Sequence, residues 1–168
     1  MRRITALLQT QNDGLRLGRC LETLYPCDEI LVIDHGSKDD TVRVARDYGA
    51  EVLSGRPGIS PEGYVTPKSA TRNSEWLLFL DARESLTEAL AATLYEWKSA
   101  GETLLNSATP SPAFSVFMRE ETPEGWIAVP VAKTRLVPHT WHRWQGNLPA
   151  DEPSALALEG ELLRFAFP

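Results

Sequence analysis

The succession of strand and helix signals predicts an α/β fold with a mostly parallel central sheet and a β-hairpin region at its C-terminal side. Two apolar runs, Ile30 to Ile33 and the EWLLFLD stretch from Glu75 to Asp81, have the length of strands covered on both faces, and each runs into an acidic residue. A strand followed by a helix occurs twice within about the first fifty residues, the pattern that produces a parallel sheet. Further on, Phe114 to Met118 and Trp126 to Val131 flank the turn Thr122 to Gly125, which reads as a hairpin.

Taken in order, Ile4 to Leu8 is the first strand, and Gln9, Thr10, Gln11, Asn12 and Asp13 are its polar exit loop. Asn12 or Asp13 is expected to cap a helix whose Leu17, Leu21 and Leu24 share one face and which Pro26 ends. The second strand stops at Asp34 and passes through a Gly36-Ser37 turn into a helix. Ser37 with Asp40 three residues on fits a capping box, and Gly49 supplies the stop. Glu51 to Leu53 is a third short strand. Right-handed crossovers put the strand exits on one edge, where open parallel sheets collect their ligands. Asp34 and the amides after it therefore stand where a nucleotide would be held.

Ser54 to Pro67 is broken by Gly55, Pro57, Gly58, Pro61, Gly63 and Pro67. It is either a plain surface connection or the border of a ligand site. Lys68 to Asn73 has room for a short helical turn only. After the Glu75 to Asp81 strand, Ser85 and Glu88 form a second capping box ahead of a helix with an apolar stripe of Leu86, Leu90, Leu94 and Trp97, closed by Gly101. Residues 104–112 are rich in Ser, Thr and Pro and read as a linker within one domain. Ala155 to Phe167 has room for one or two more strands.

The bulk properties narrow the classes. At 168 residues and 42% hydrophobic, the chain is expected to form a single domain with a real core, 1–168. Its formal charge of -6 and its lack of a Lys/Arg run argue against nucleic acid and anionic membranes as partners. Two cysteines, Cys20 and Cys27, are too few for a disulfide framework. The apolar stretch after Met1 is too short for a signal peptide or a transmembrane segment, so a cytoplasmic location is expected.

The stretch VIDHGSKDDTVRVARDYGAEV, from Val32 to Val52, resembles the nucleotide-binding element of family 2 glycosyltransferases of the GT-A fold. Asp34, Gly36, Ser37, Asp39, Thr41, Gly49 and Ala50 occupy the positions of that element. The opening strand with Thr10 and Asn12, and EWLLFLDARE, agree with the family in order and spacing, and the similarity is nearest to the bacterial lipopolysaccharide-core type. The resemblance covers about the first 100 residues. It implies a Rossmann-like sheet, a nucleoside-diphosphate sugar donor, transfer to an acceptor hydroxyl and a role in cell-envelope polysaccharide. It divides the chain into a nucleotide-sugar-binding half, 1–103, and a reduced acceptor-side half, 104–168.

Thr10, Asn12, Asp34, Gly36, Ser37, Lys68, Asp81 and Arg83 are the donor-binding residues the resemblance implies. It also implies a divalent cation, Mg²⁺ or Mn²⁺, to neutralise the leaving diphosphate. Here the chain departs from the family, because the paired-carboxylate motif reads Asp81-Ala82-Arg83. A guanidinium has no lone pair for a metal but pairs well with phosphate oxygens. The late metal-binding His of related enzymes is also missing from the LLRFAFP end. The expectation is a weak or absent metal at Asp81 and Glu84, with Arg83 on the diphosphate. The segment RLVPHTWHRWQGNLPADEP resembles the acceptor side, which makes Asp151 or Glu152 the candidate base. A solvated-loop role for both carboxylates, and a non-catalytic relative that binds a nucleotide sugar or a protein partner, are the competing readings. The sugar, base, acceptor and oligomeric state are left open.

Overall fold

The computed structural model describes residues 1–65, 75–100 and 112–168. Its first strand, β1 (Ile4–Thr10), is buried along almost its whole length because layers cover both faces. On one face, Ile4, Ala6 and Leu8 pack with Leu17, Leu21 and Leu24 of the segment that follows. On the other, Leu7 joins Leu31, Ile33, Leu77, Phe79 and Tyr64. Odd and even positions thus feed separate cores, as the two-residue period of a strand requires.

Helix α1 (Leu17–Glu22) and strand β2 (Glu29–Asp34) come next, followed by α2 (Thr41–Asp47) and β3 (Glu51–Ser54). β1 pairs in parallel with β2, and β2 with β3. A 3-10 turn at Pro61–Tyr64 lies within the Gly/Pro-rich stretch. This stretch is more than a surface connection: Tyr64 is 3% exposed, and its hydroxyl accepts from the Arg56 amide at 2.7 Å and donates to the Arg56 carbonyl at 3.1 Å. Strand β4 (Trp76–Asp81) then pairs in parallel with β1 on the side away from β2.

A short strand absent from the sequence reading, β5 (Glu84–Leu86), precedes α3 (Glu88–Ser99). The remaining strands are β6 (Phe114–Thr122), β7 (Gly125–Pro138), β8 (Trp144–Gln145), β9 (Leu148–Pro149) and β10 (Leu156–Arg164). β6 and β7 form the expected hairpin. Among the described residues eight strands make one sheet in the order β3-β2-β1-β4-β7-β6-β10-β5, and β8 and β9 form a separate two-stranded ribbon. The parallel block β3-β2-β1-β4 turns antiparallel at β7, and β10 runs parallel to β6.

The helix boundaries correct several expectations. Neither Asn12 nor Asp13 caps α1 with its side chain, because the Asp13 carboxylate accepts from the Gln11 amide at 2.9 Å instead. α1 ends before Pro26 is reached. The capping box at Ser37 and Asp40 does not form, since the Ser37 hydroxyl is drawn to Asp34 at 2.5 Å. Ser85 and Leu86 belong to β5, and α3 is capped by Thr87, whose hydroxyl accepts from the Leu90 amide at 3.2 Å. Gly49 does terminate α2, with φ +80. Gly101, the 104–112 linker and Lys68 fall wholly or mostly outside the described residues.

Candidate active site

The parallel pairing sets three strand exits side by side. Thr10 lies opposite Asp34, and Gln9 lies opposite Asp81. With adjacent strands about 4.8 Å apart, Asp34 and Asp81 sit roughly 10 Å from each other across the end of β1. The expected donor-site residues are therefore gathered on one sheet edge, with Lys68 outside the described residues.

Within this edge the loops after β1 and β2 are clasped to each other. The Thr10 hydroxyl donates to Asp34 Oδ1 at 2.9 Å, and the Ser37 amide donates to Asp34 Oδ2 at 2.9 Å. Ser37 Oγ in turn accepts from the Asn12 amide at 2.8 Å, and Asn12 Oδ1 accepts from the Lys38 amide at 2.9 Å. The Gly14 amide donates to Asp39 Oδ2 at 2.9 Å, the Asp13 amide donates to Thr41 Oγ1 at 2.9 Å, and the Thr41 hydroxyl donates to Asp39. Gly36 turns with φ +74, a conformation that a side chain makes costly, and Asn12 adopts φ 54. A Cβ on Gly14 would stand 2.9 Å from Asp39 Oδ2, so the Asp39 side chain would have to shift. Asp34 is 8% exposed. Burial pushes its carboxyl up, but the hydrogen bonds from Ser37 and Thr10 outweigh burial and hold it below the usual carboxylate range. The motif residues thus first of all organise their own loops, and the backbone they shape is what faces outward.

Beside this clasp lies a groove. A chamber of about 210 Å³ is lined by Gln9, Asp81, Glu84, Arg135, Gln145, Asn147 and Arg164, among others. It adjoins one of about 330 Å³, lined by Glu120, Lys133, Asp151 and Pro149 and sharing Arg135, Gln145, Leu148 and Arg164 with the first. The β8–β9 ribbon forms part of both walls through Gln145 and Leu148. Asp81 and Asp151 are thereby brought to one groove.

Asp81 and Glu84 in this groove are already engaged. Arg83 Nε lies 2.9 Å from Asp81 Oδ1 and its Nη2 lies 3.4 Å from Oδ2. Burial would raise the Asp81 carboxyl, yet the Arg83 hydrogen bonds, with the charges of Arg83 and Arg164, set it below its ordinary value. Glu84 corrects the sequence reading. It is 0% exposed; Oε1 accepts from Arg135 Nη1 at 2.7 Å and from the Asp81 amide at 2.7 Å, and Oε2 accepts from Arg135 Nη2 at 2.9 Å. It is a structural anchor and cannot turn to a metal. Among the described residues no group of three or more His, Cys, Asp or Glu is arranged to hold a metal ion. Among the described residues the carboxylate at this edge, Asp81, is neutralised by its own neighbour Arg83, an arrangement that fits a divalent cation poorly.

The two base candidates separate. Asp151 lines the groove, accepting from the Thr134 amide at 3.1 Å and from Lys133 Nζ at 3.2 Å, with its side chain 47% exposed. Glu152 is tied to Ser154, whose hydroxyl donates at 2.6 Å, and to the Arg143 guanidinium. Those bonds, led by Ser154, hold its carboxyl down to about 2, too low for a base near neutral pH. Arg135 and Arg164 escaped the sequence reading although Arg135 opens the stretch RLVPHTWHRWQGNLPADEP and Arg164 lies in the LLRFAFP end, because nothing local marks either one as facing the groove.

No family model matches the chain. In sequence, 94 residues, 54% of the chain, are 34% identical to an uncharacterized glycosyltransferase of Rickettsia prowazekii, spanning 31% of that protein. A stretch of 106 residues, 61% of the chain, is 29% identical to the lipopolysaccharide core biosynthesis glycosyltransferase LpsC of Rhizobium meliloti, spanning 39% of it. The chain thus matches only about a third of the length of these relatives. In structure, a crystallographically determined mycobacterial protein superposes with a TM-score of 0.58 over 98% of this chain and 65% of its own, at 17% identity. The mostly parallel central sheet with few helices is that of a GT-A-like α/β fold. In sequence the chain is thus similar to glycosyltransferases over little more than half of its length, and the structural likeness extends over nearly all of it. Among the described residues no helix is long and apolar enough to cross a membrane.

Proposed function

We propose that the chain acts as one GT-A unit that transfers a sugar from a nucleoside-diphosphate sugar to an acceptor hydroxyl, in the manner of the lipopolysaccharide-core enzymes, and that it does so without a resident divalent cation. The observation that carries the reading is the groove that joins the strand-exit edge at Asp81 to Asp151. On this reading residues 1–103 grip the donor and 104–168 supply the acceptor side. The amides and side chains of the clasped loops, at Thr10, Asn12, Asp34, Gly36 and Ser37, hold the nucleoside. The bond between the anomeric carbon and the diphosphate oxygen breaks as the acceptor oxygen attacks, through an oxocarbenium-like state. Asp151 takes the acceptor proton, and the electron pair leaves with the diphosphate.

Arg83 belongs to this site as the partner of Asp81, which removes a negative charge from the diphosphate's surroundings. The same pairing favours a second reading, a domain that binds a nucleotide sugar or a protein partner without turnover. Incubation with a panel of nucleoside-diphosphate sugars, with and without a truncated lipopolysaccharide-core acceptor and in EDTA, separates the two. Release of nucleoside diphosphate that accelerates with acceptor supports the enzyme. Saturable binding with no release supports the binding domain, and the absence of any binding removes both.

A further inference from the structure

The ion pairs around the groove are unequal. Asp81 is met by Arg83 at 2.9 Å, Glu84 by Arg135 at 2.7 Å and Asp151 by Lys133 at 3.2 Å. Each of these is a contact pair, so each acid is neutralised by a cation that is itself committed. Arg164 differs: among the described residues its one ion pair is with Glu120 at 3.8 Å, a distance without a hydrogen bond. Arg164 is the last residue of β10, in register with Glu120 of β6 and Glu84 of β5. Its side chain is 33% exposed and lines both groove chambers. It is the cation with charge to spare.

A second observation comes from the opposite wall. Gln9 Oε1 lies 2.5 Å from His35 Nε2, while the Gln9 amide nitrogen is buried and without a partner among the described residues. A buried amide nitrogen left unbonded is destabilising, and Gln9 lines the chamber, so an acceptor entering from outside the chain would relieve it. The chamber therefore presents a strong cationic donor and an orphaned neutral donor, while its acids are already compensated.

We propose that this chamber holds the diphosphate of the donor, with Arg164 and the Gln9 amide donating to its oxygens and Arg164 supplying the positive charge that a metal ion supplies elsewhere. The inference rests on the reading of the groove as a donor site. Its consequence is chemical: a guanidinium beside the bridging oxygen stabilises the charge that develops as the sugar departs, without any change in metal occupancy.

Calorimetric titration of the purified chain with inorganic pyrophosphate, and with uridine, guanosine and cytidine diphosphates, all in EDTA, tests this. The wild-type chain binds pyrophosphate in EDTA, and Arg164→Gln weakens that binding about tenfold or more, the value of a lost charge-assisted bond. Arg164→Lys retains part of the affinity. Glu120→Gln releases Arg164 from its remaining counter-charge and tightens binding about threefold, a change of opposite sign that loss of structure does not mimic. Circular dichroism melts of each variant confirm folding, and should Arg164→Gln not fold, Arg164→Lys and Glu120→Gln carry the test. Pyrophosphate binding that requires Mn²⁺, or that is indifferent to Arg164 and Glu120 substitution, overturns the inference. If a nucleoside diphosphate binds but ignores Arg164, the inference fails and the donor reading stands. If pyrophosphate binds through Arg164 but no nucleoside diphosphate binds more tightly, the anion site stands and the donor reading fails.

Discussion

Arg135 lies against Glu84 beneath the groove, with Nη1 2.7 Å and Nη2 2.9 Å from the two carboxylate oxygens. The two are 2% and 0% exposed. This pair ties β7 to β5, and through the Asp81 amide to the end of β4. Removing one partner strands the other charge in the interior. Glu84→Leu or Arg135→Met alone should cost about 3–5 kcal/mol, read from urea unfolding. The double variant Glu84→Gln with Arg135→Met should recover much of that loss, because no uncompensated charge remains.

Asp34→Ala leaves the Ser37 amide and the hydroxyls of Thr10 and Ser37 without their acceptor, so a loss of about 1–3 kcal/mol is expected. The pH dependence follows from the same bonds. A carboxylate held below its unfolded value of about 3.9 contributes stability that is present above that pH and lost as pH falls through the folded value. Asp28, Asp34 and Asp81 are all held down in this way. Urea midpoints should therefore be flat above about pH 5 and fall below about pH 4, with a shallower fall in Asp34→Ala.

Gly160 interrupts β10 at the irregularity between Ala157 and Glu161, with φ +98. A Cβ there would stand 2.4 Å from the Leu90 amide nitrogen and 2.6 Å from its Cα, so α3 itself would have to move. Gly160→Ala should cost about 3 kcal/mol or more, from backbone strain and overpacking together, measured by thermal or chemical unfolding.

Arg83→Asp would restore a carboxylate on either side of Ala82 and free Asp81 from its guanidinium. The variant should gain a Mn²⁺-dependent rise in melting temperature that EDTA reverses, with no such rise in the wild-type chain. An EDTA response identical in both would exclude position 83 as the determinant of metal binding.

Asp151→Asn and Glu152→Gln distinguish the acid-base assignments. Transfer to acceptor should fall at least about a hundredfold in Asp151→Asn, the range for loss of a general base. It should stay within a few-fold of wild type in Glu152→Gln, whose carboxyl, held at about 2, has little basicity to lose. Initial rates at saturating donor give the comparison.

Strand, turn and helix over the first half of the chain were legible in the residues themselves. Ile4 to Leu8, Ile30 to Ile33 and Leu77 to Leu80 carry enough apolar surface to demand burial on both faces, and Gly36 and Gly49 mark positive φ. Local propensity misjudged the start of α2 because Ser37 is engaged elsewhere. Its hydroxyl donates to Asp34 and accepts from the Asn12 amide of the β1 loop that lies alongside. Likewise, Ser85 is drawn into β5 because β10 arrives to pair with it.

The sequence by itself determined the parallel sheet of the first half, the polar residues Thr10, Asn12, Asp34 and Ser37 at its strand exits, and the departure at Arg83, because each depends on neighbours within one strand-loop-helix unit or on a motif kept in register. Only the tertiary structure decided which charges compensate which. Glu84 meets Arg135 across 51 positions of chain, and Arg164 reaches the groove only because β10 returns beside β6. Electrostatic pairing falls off with distance in space and is indifferent to separation along the chain, so the folded sheet was needed to show Asp81 neutralised, Glu84 buried and Arg164 left with charge to give.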